Sequence, residues 1–309
     1  MATQRLAVWK PPSKSPWQKF RSQPAIVLAA LIHGFRPRLN PERSDTVTTT
    51  QSSPIFIVCI SDTHMSQPDV PDGDLLLHAG DLTNGGTFDE LQAQLGWIAS
   101  LPHRYKVVIA GNHDRLLDPE YVAKFPDKIC EYDRKARIDL DWHDIIYLNN
   151  SSAVLSFDGN GVHLNIFGSS WTPQCGTFAY QYPPIRDVWM GNVPDDTDIL
   201  LTHGPPKGYL DLDGKGCPNL LREIARVRPN LVVFGHIHAG HGRQDVVYNG
   251  VERHYQKVMA GDGQLSSVFL MAVWLLISWL EHMTIMVNAA VVSGAQNEAQ
   301  PAITVEWRS

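Results

Sequence analysis

From Ile55 onward the chain breaks into short apolar runs, each closed by turn residues: IFIVCI from Ile55, LLLHAG from Leu75, KVVIAG from Lys106, VHLNIFG from Val162, DILLTHG from Asp198 and NLVVFGH from Asn230. They are rich in Val, Ile and Leu and apolar at both parities, which predicts strands buried on both faces. Helical patterns fall between them. Thr87 and Glu90 form a capping-box pair ahead of Phe88, Leu91, Leu95 and Ile98, which recur at helical spacing. Pro218 suits a first helical turn, with Leu220, Leu221, Ile224 and Ala225 on one face and Arg228-Pro229 as the stop. Strands alternating with helices predict an α/β fold around a largely parallel sheet. The Asn249-Gly250 pair beside Val246-Val247-Tyr248 predicts a β-hairpin.

Before Ile55 the character differs. Residues 36–54 are rich in Pro, Ser and Thr with few apolar anchors, the composition of a linker. We therefore divide the chain into a leader, 1–54, and one domain, 55–309, broken by an apolar insertion at about 265–283. Residues 1–44 hold eight basic side chains and one acid, Glu42, a net +7 in a chain whose total is −6. Two apolar stretches, Ala25 to Ile32 and Val268 to Leu280, are eight and thirteen residues long. A membrane-crossing helix needs about 20. Both are expected to form helices outside the catalytic sheet, packed on each other or lying on an anionic membrane surface. Peripheral membrane association through 1–44 and 265–283 is thus one expectation. Cys59, Cys130, Cys175 and Cys217 are too far apart in sequence for a Cys-x-x-C pair. That disfavours a disulfide framework or thiolate zinc and fits a reducing, cytoplasmic setting. With an acidic body and a pI near 6.1, no specific nucleic-acid binding is expected.

The chemistry stands at the strand ends. Five runs deliver Ser61-Asp62-Thr63-His64, Gly80-Asp81, Gly111-Asn112-His113-Asp114, His203-Gly204 and Gly235-His236-Ile237-His238. In open α/β sheets ligands bind outside the carboxyl ends of the strands, so these side chains should converge there. Carboxylates, an amide and imidazoles so gathered need a cation. Oxygen and nitrogen donors without sulfur suit Mn, Fe or Zn, and there are more of them than one ion requires. A site for two divalent metal ions follows. His78, one turn before Asp81, reads as a core histidine.

In that order, D-x-H, G-D, G-N-H-D, H-G and G-H-x-H resemble the calcineurin-like metallophosphoesterase superfamily. HAGDLTN, GSSWTP, LLTHGPP and VFGHIHAGHG resemble its small subfamily of vertebrate metallophosphoesterase-domain-containing proteins and their fungal relatives. The resemblance runs over about 55–263, resumes near 285–306, and implies a four-layer α/β/β/α sandwich of mainly parallel sheets flanked by helices. It assigns Asp62, His64 and His238 to one metal and Asn112, His203 and His236 to the other, with Asp81 bridging. His113 becomes the histidine that contacts phosphate and protonates the leaving oxygen, oriented by Asp114 or Asp62. The GSSWTP loop brings Trp171 and Phe178 as candidate substrate contacts, and His241 is a third.

The implied activity is a dinuclear-metal phosphoesterase, more a phosphodiesterase than a phosphomonoesterase, acting on a small nucleotide-like phosphoester by in-line attack of metal-bound hydroxide. The alternatives are a metal-bearing scaffold without turnover and a membrane-associated interaction protein built on the apolar segments.

Overall fold

A computed structural model describes residues 15–34, 53–128, 136–157, 161–212, 214–277, 283–292 and 299–308. All but the last two residues of the 36–54 linker, together with Cys130, Trp279 and Leu280, lie outside them. The helices are α1 (Pro16–Ser22), α2 (Pro24–Gly34), α3 (Phe88–Ser100), α4 (Pro119–Lys124), α5 (Pro218–Val227), α6 (Gly250–Ala260) and α7 (Leu265–Ile277). The strands are β1 (Ile55–Ile60), β2 (Leu75–His78), β3 (Tyr105–Val108), β4 (Ile145–Tyr147), β5 (Ser151–Phe157), β6 (Val162–Ser169), β7 (Thr172–Pro173), β8 (Gln181–Tyr182), β9 (Ile199–Thr202), β10 (Leu231–Phe234), β11 (Gly242–Val247), β12 (Met283–Asn288) and β13 (Ile303–Trp307).

All six apolar runs form strands, and they divide between two sheets. The first has the order β13-β1-β2-β3-β4, the second β11-β12-β10-β9-β6-β5. Every interior pairing is parallel, and antiparallel strands are added at the margins: β13 on β1, β5 on β6, β11 on β12. The period of two sorts the side chains. Ile57, Cys59, Leu75, Leu77, Val107 and Ile109 point inward against Ile166, Ile199, Leu201, Leu231, Val233 and Val287 of the other sheet. Val58, Ile60, Leu76 and Val108 point outward under Leu91, Leu95 and Ile98 of α3. Leu200, Val232, Phe234 and Met286 do the same under α5 and α6. The result is the four-layer α/β/β/α sandwich.

Helix ends follow the sequence signals. Thr87 and Glu90 close their capping box on α3, and α5 starts at Pro218 and stops at a left-handed Arg228. The expected hairpin at Asn249-Gly250 does not form. β11 ends at Val247 and pairs with β12 across the whole α6–α7 segment, while the Asn249 side chain accepts from the Glu252 amide and caps α6. Glycine at 250 answers a packing demand instead of a turn. A Cβ there would overlap the Trp274 ring of α7.

The two apolar segments form α2 and α7 and meet. Ala29 of α2 is buried in one cluster with Val268 and Met271 of α7, and His33 pairs with the buried Glu252 of α6 at 3.0 Å. Among the described residues no helix is long and apolar enough to cross a membrane.

Candidate metal centre

The strands that carry the motifs end at one edge of the sandwich. β1, β2 and β3 of the first sheet lead into Asp62-Thr63-His64, Asp81 and Asn112-His113; β9 and β10 of the second lead into His203 and His236-Ile237-His238. The two sheets are joined there by a parallel bridge between Ser61 and Ala290. Backbone bonds then fix the loops to one another: Asp62 N donates to Gly80 O at 2.9 Å, His64 N to Asp81 O at 3.1 Å, and Gly235 N to His203 O at 2.9 Å. Side chains tie in the rest. His236 N donates to Asp62 Oδ2 at 2.9 Å and His113 N to Asp81 Oδ1 at 2.8 Å.

Two donor groups result, Asp62-His64-His238 and Asp81-His203-His236, each with ligand atoms within 4.8 Å of one another. Asn112 joins the second through Oδ1, 3.1 Å from His203 Nε2. Asp81 faces both: Oδ1 is 3.4 Å from His203 Nε2 and Oδ2 is 3.7 Å from His64 Nε2. All seven residues assigned to metal by resemblance are therefore together. Four of them, Asp62, His64, Asp81 and His236, have φ between 44° and 65°. Left-handed backbone costs a non-glycine residue roughly 1–3 kcal/mol and is retained where the surroundings demand a particular side-chain direction.

The rings are oriented by carbonyls. His203 Nδ1 lies 2.8 Å from Ala79 O and His64 Nδ1 lies 3.1 Å from Thr83 O. A carbonyl only accepts, so each Nδ1 carries the proton and Nε2 turns inward. Nε2 of His203 then meets Asn112 Oδ1 and an Asp81 oxygen, and Nε2 of His64 meets Nε2 of His238 at 3.4 Å. With neutral rings, lone pairs face lone pairs here and need a shared cation, either a metal ion or a proton. Charge balance points the same way. Burial alone would neutralise His203, yet the adjacent Asp81 raises it to about 9; burial would also raise Asp81, and His203 holds it below the usual carboxylate range. Burial and the charge on His203 push His236 down to about 4, leaving it a neutral donor. The pocket is built to hold positive charge, and divalent ions fit its donor set.

His113 stands beside the groups without joining them. Its ring is 4.9 Å from that of His64, nearly perpendicular. Its Nδ1 donates to Asn84 O at 2.8 Å, so the orienting acceptor is this backbone carbonyl and not Asp114 or Asp62. Asp114 has another task. Fully buried, it accepts from Gly111 N, Leu82 N, Thr83 N and Thr83 Oγ1 at 2.7–3.2 Å, stapling the loop after β2 to the loop after β3. Burial, reinforced by nearby Asp81, raises its carboxyl to about 6. His78 is buried, bonded to Thr63 Oγ1 and the Gly80 amide, and pushed down to about 4 by burial: a core histidine.

The three candidate substrate contacts separate. Phe178 lies against His113, with ring centroids 5.0 Å apart. Trp171 packs edge-on to the buried Trp189, and His241 bonds to Pro301 O. Two neighbours escaped the sequence reading. Arg115 holds its guanidinium 5.8 Å from the Phe178 ring, and the exposed Cys175 thiol is 3.9 Å from His236 Nε2.

The sequence profile of the calcineurin-like phosphoesterases matches residues 57–240, the stretch that carries every residue of this centre. The chain belongs to that family. Metallophosphoesterase domain-containing protein 1 of human and of mouse is 36% identical over 205 residues, 60% of this chain and 61% of the relative, which supports the small subfamily. A protein of Emericella nidulans called a probable rhamnogalacturonate lyase C is 39% identical over 300 residues, 94% of this chain but 27% of its own length. The chain thus spans less than two thirds of these relatives, and the lyase name belongs to a protein lying mostly outside the match. A solved structure from Thermus thermophilus superposes with a TM-score of 0.39 at 15% identity, covering 68% of this chain and 87% of that one.

One member of the family motif has a steric reason. A Cβ on Gly111 would overlap the amide nitrogen and Oδ1 of Asp81. Gly111→Ala is expected to displace the shared carboxylate, costing roughly 1–3 kcal/mol of stability by overpacking and emptying the centre. Thermal unfolding with elemental analysis of the purified variant checks both; full metal content would show that Asp81 can move aside.

Proposed function

We propose that the centre hydrolyses phosphoesters, and phosphodiesters in preference to monoesters, with a small nucleotide-like substrate. The observation that carries this is His113, a non-ligand imidazole beside both donor groups with its tautomer fixed by Asn84. When bound, divalent ions supply positive charge to phosphate oxygens and acidify water. Asp62, His64 and His238 would hold one; Asn112, His203 and His236 would hold the other; Asp81 would serve both. Mn, Fe and Zn suit these ligands. His113 keeps its Nδ1 proton on Asn84 O; as the imidazolium it carries a second proton on Nε2, which it would donate to a phosphate oxygen and then give up to the leaving oxygen, ending as the neutral ring. Alkoxide leaving groups of natural diesters need that proton most.

Phe178 and Arg115 argue for the substrate class. The Phe178 ring lies 5.0 Å from the His113 ring, and the Arg115 guanidinium, 5.8 Å from Phe178, adds positive charge next to it. A flat, anionic leaving group such as a nucleotide suits that pair. Phe178→Ala is expected to raise KM about tenfold for diesters with an aromatic base, with little change in kcat or for aliphatic diesters. A fall in kcat instead would make Phe178 a positioning residue for His113. The test of the main reading is turnover of a panel of phosphomonoesters and diesters by chelator-stripped protein reloaded with Mn, Fe, Zn or Mg. Diesters should lead. A monoester preference would overturn the diester half, and inert protein on every ester would leave the scaffold reading.

A further inference from the structure

α7 is apolar all round, and only one side of it is used. Val268 and Met271 are buried against the domain, while Leu265 (55% exposed), Phe269 (69%), Leu270 and Val273 face outward beside Ser266. A helix hydrophobic on every side belongs in a core or against lipid. The same holds next door. α2 buries Ala29 and His33 and turns Leu31 outward, and α1, which packs on α2, exposes Trp17 stacked on Phe20. Single exposed apolar residues are ordinary, but three adjoining helices presenting them together are not.

Charge indicates what covers this face. None of the three helices contains an Asp or Glu, and α1 ends in Lys19 and Arg21. In sequence, the leader 1–44 that contains α1 and α2 carries +7, whereas the rest of the chain is strongly acidic. A second copy docking through the same face would set basic helix against basic helix; an anionic lipid headgroup layer brings attraction worth about 1 kcal/mol per basic residue near the surface. No described helix is long enough to cross, so the fitting geometry is an interfacial one, aromatic and aliphatic side chains entering the headgroup boundary. We propose that the outer faces of α1, α2 and α7 form one docking surface for anionic membranes, placing the phosphoesterase domain peripherally on a bilayer. Mutual packing of the apolar segments and lipid binding are then two faces of one helical layer.

The test is flotation of the full chain with phosphatidylcholine vesicles with and without phosphatidylserine. Binding should require phosphatidylserine, fall as salt rises, and be accompanied by a blue shift of tryptophan emission as Trp17 leaves water. Phe269→Asp should lower partitioning about tenfold or more, the factor for one buried apolar side chain. Lys19→Glu with Arg21→Glu should weaken binding without altering the unfolding midpoint. Because Phe269 is exposed, an unchanged midpoint in its variant excludes misfolding as the cause. Absence of binding at every salt concentration overturns the proposal. So does salt-independent binding that the charge variants leave intact, or a concentration-dependent dimer that Phe269→Asp abolishes.

Discussion

Asp81→Asn should strip the protein of bound metal and of phosphoesterase activity together. The two oxygens of Asp81 address His64 in one donor group and His203 in the other, so one substitution removes the carboxylate that both groups share and leaves Asp62 as the only acidic side chain among them. The loss should far exceed the ~10–100-fold that a missing supporting hydrogen bond produces. Elemental analysis of wild type purified without chelator should give close to two divalent ions per chain, and the variant close to none. A variant that keeps two ions would refute the shared-ligand arrangement. Folding should survive. Asparagine keeps the shape of Asp81 and an acceptor oxygen for the His113 amide, and it relieves the repulsion that raises Asp114, against the lost attraction to His203.

The second large effect belongs to His113. His113→Ala should retain metal, since its side chain belongs to neither donor group, and lose about 10²–10⁴-fold in rate on esters with poor leaving groups. Activated aryl esters should suffer less because their leaving oxygen hardly needs a proton. Comparing the two losses in one metal-loaded preparation decides the role. Equal losses would mean that His113 stabilises phosphate charge and does not act as an acid.

The motifs were legible because their strands are short and buried on both faces, so each ends abruptly in the polar residues of a turn. Asp62, Asp81, Asn112 and the three histidines of the second sheet could be named for that reason. What orients them could not. Ala79, Thr83 and Asn84 act through main-chain carbonyls, which every residue possesses, so residue type leaves no trace of the role. Division into two sheets was equally hidden from local periodicity: a strand's alternation says which faces are covered, not by what, and the sandwich entered through the family resemblance alone. At Asn249-Gly250 two local signals competed. Glu252 three residues beyond Asn249 is the helix-start signature, and it would have identified α6 had it been weighed against the turn.

The left-handed backbone at Asp62, His64, Asp81 and His236 has a consequence for directed evolution. Glycine adopts that conformation at little cost, so at each of these four sites a library selected for heat resistance alone contains a substitution that relaxes the chain while deleting a donor side chain of the candidate centre. Selection blind to turnover would drift toward glycine there and erode the centre before it touched the surrounding sheets. Any campaign to harden this protein needs a catalytic screen in every round.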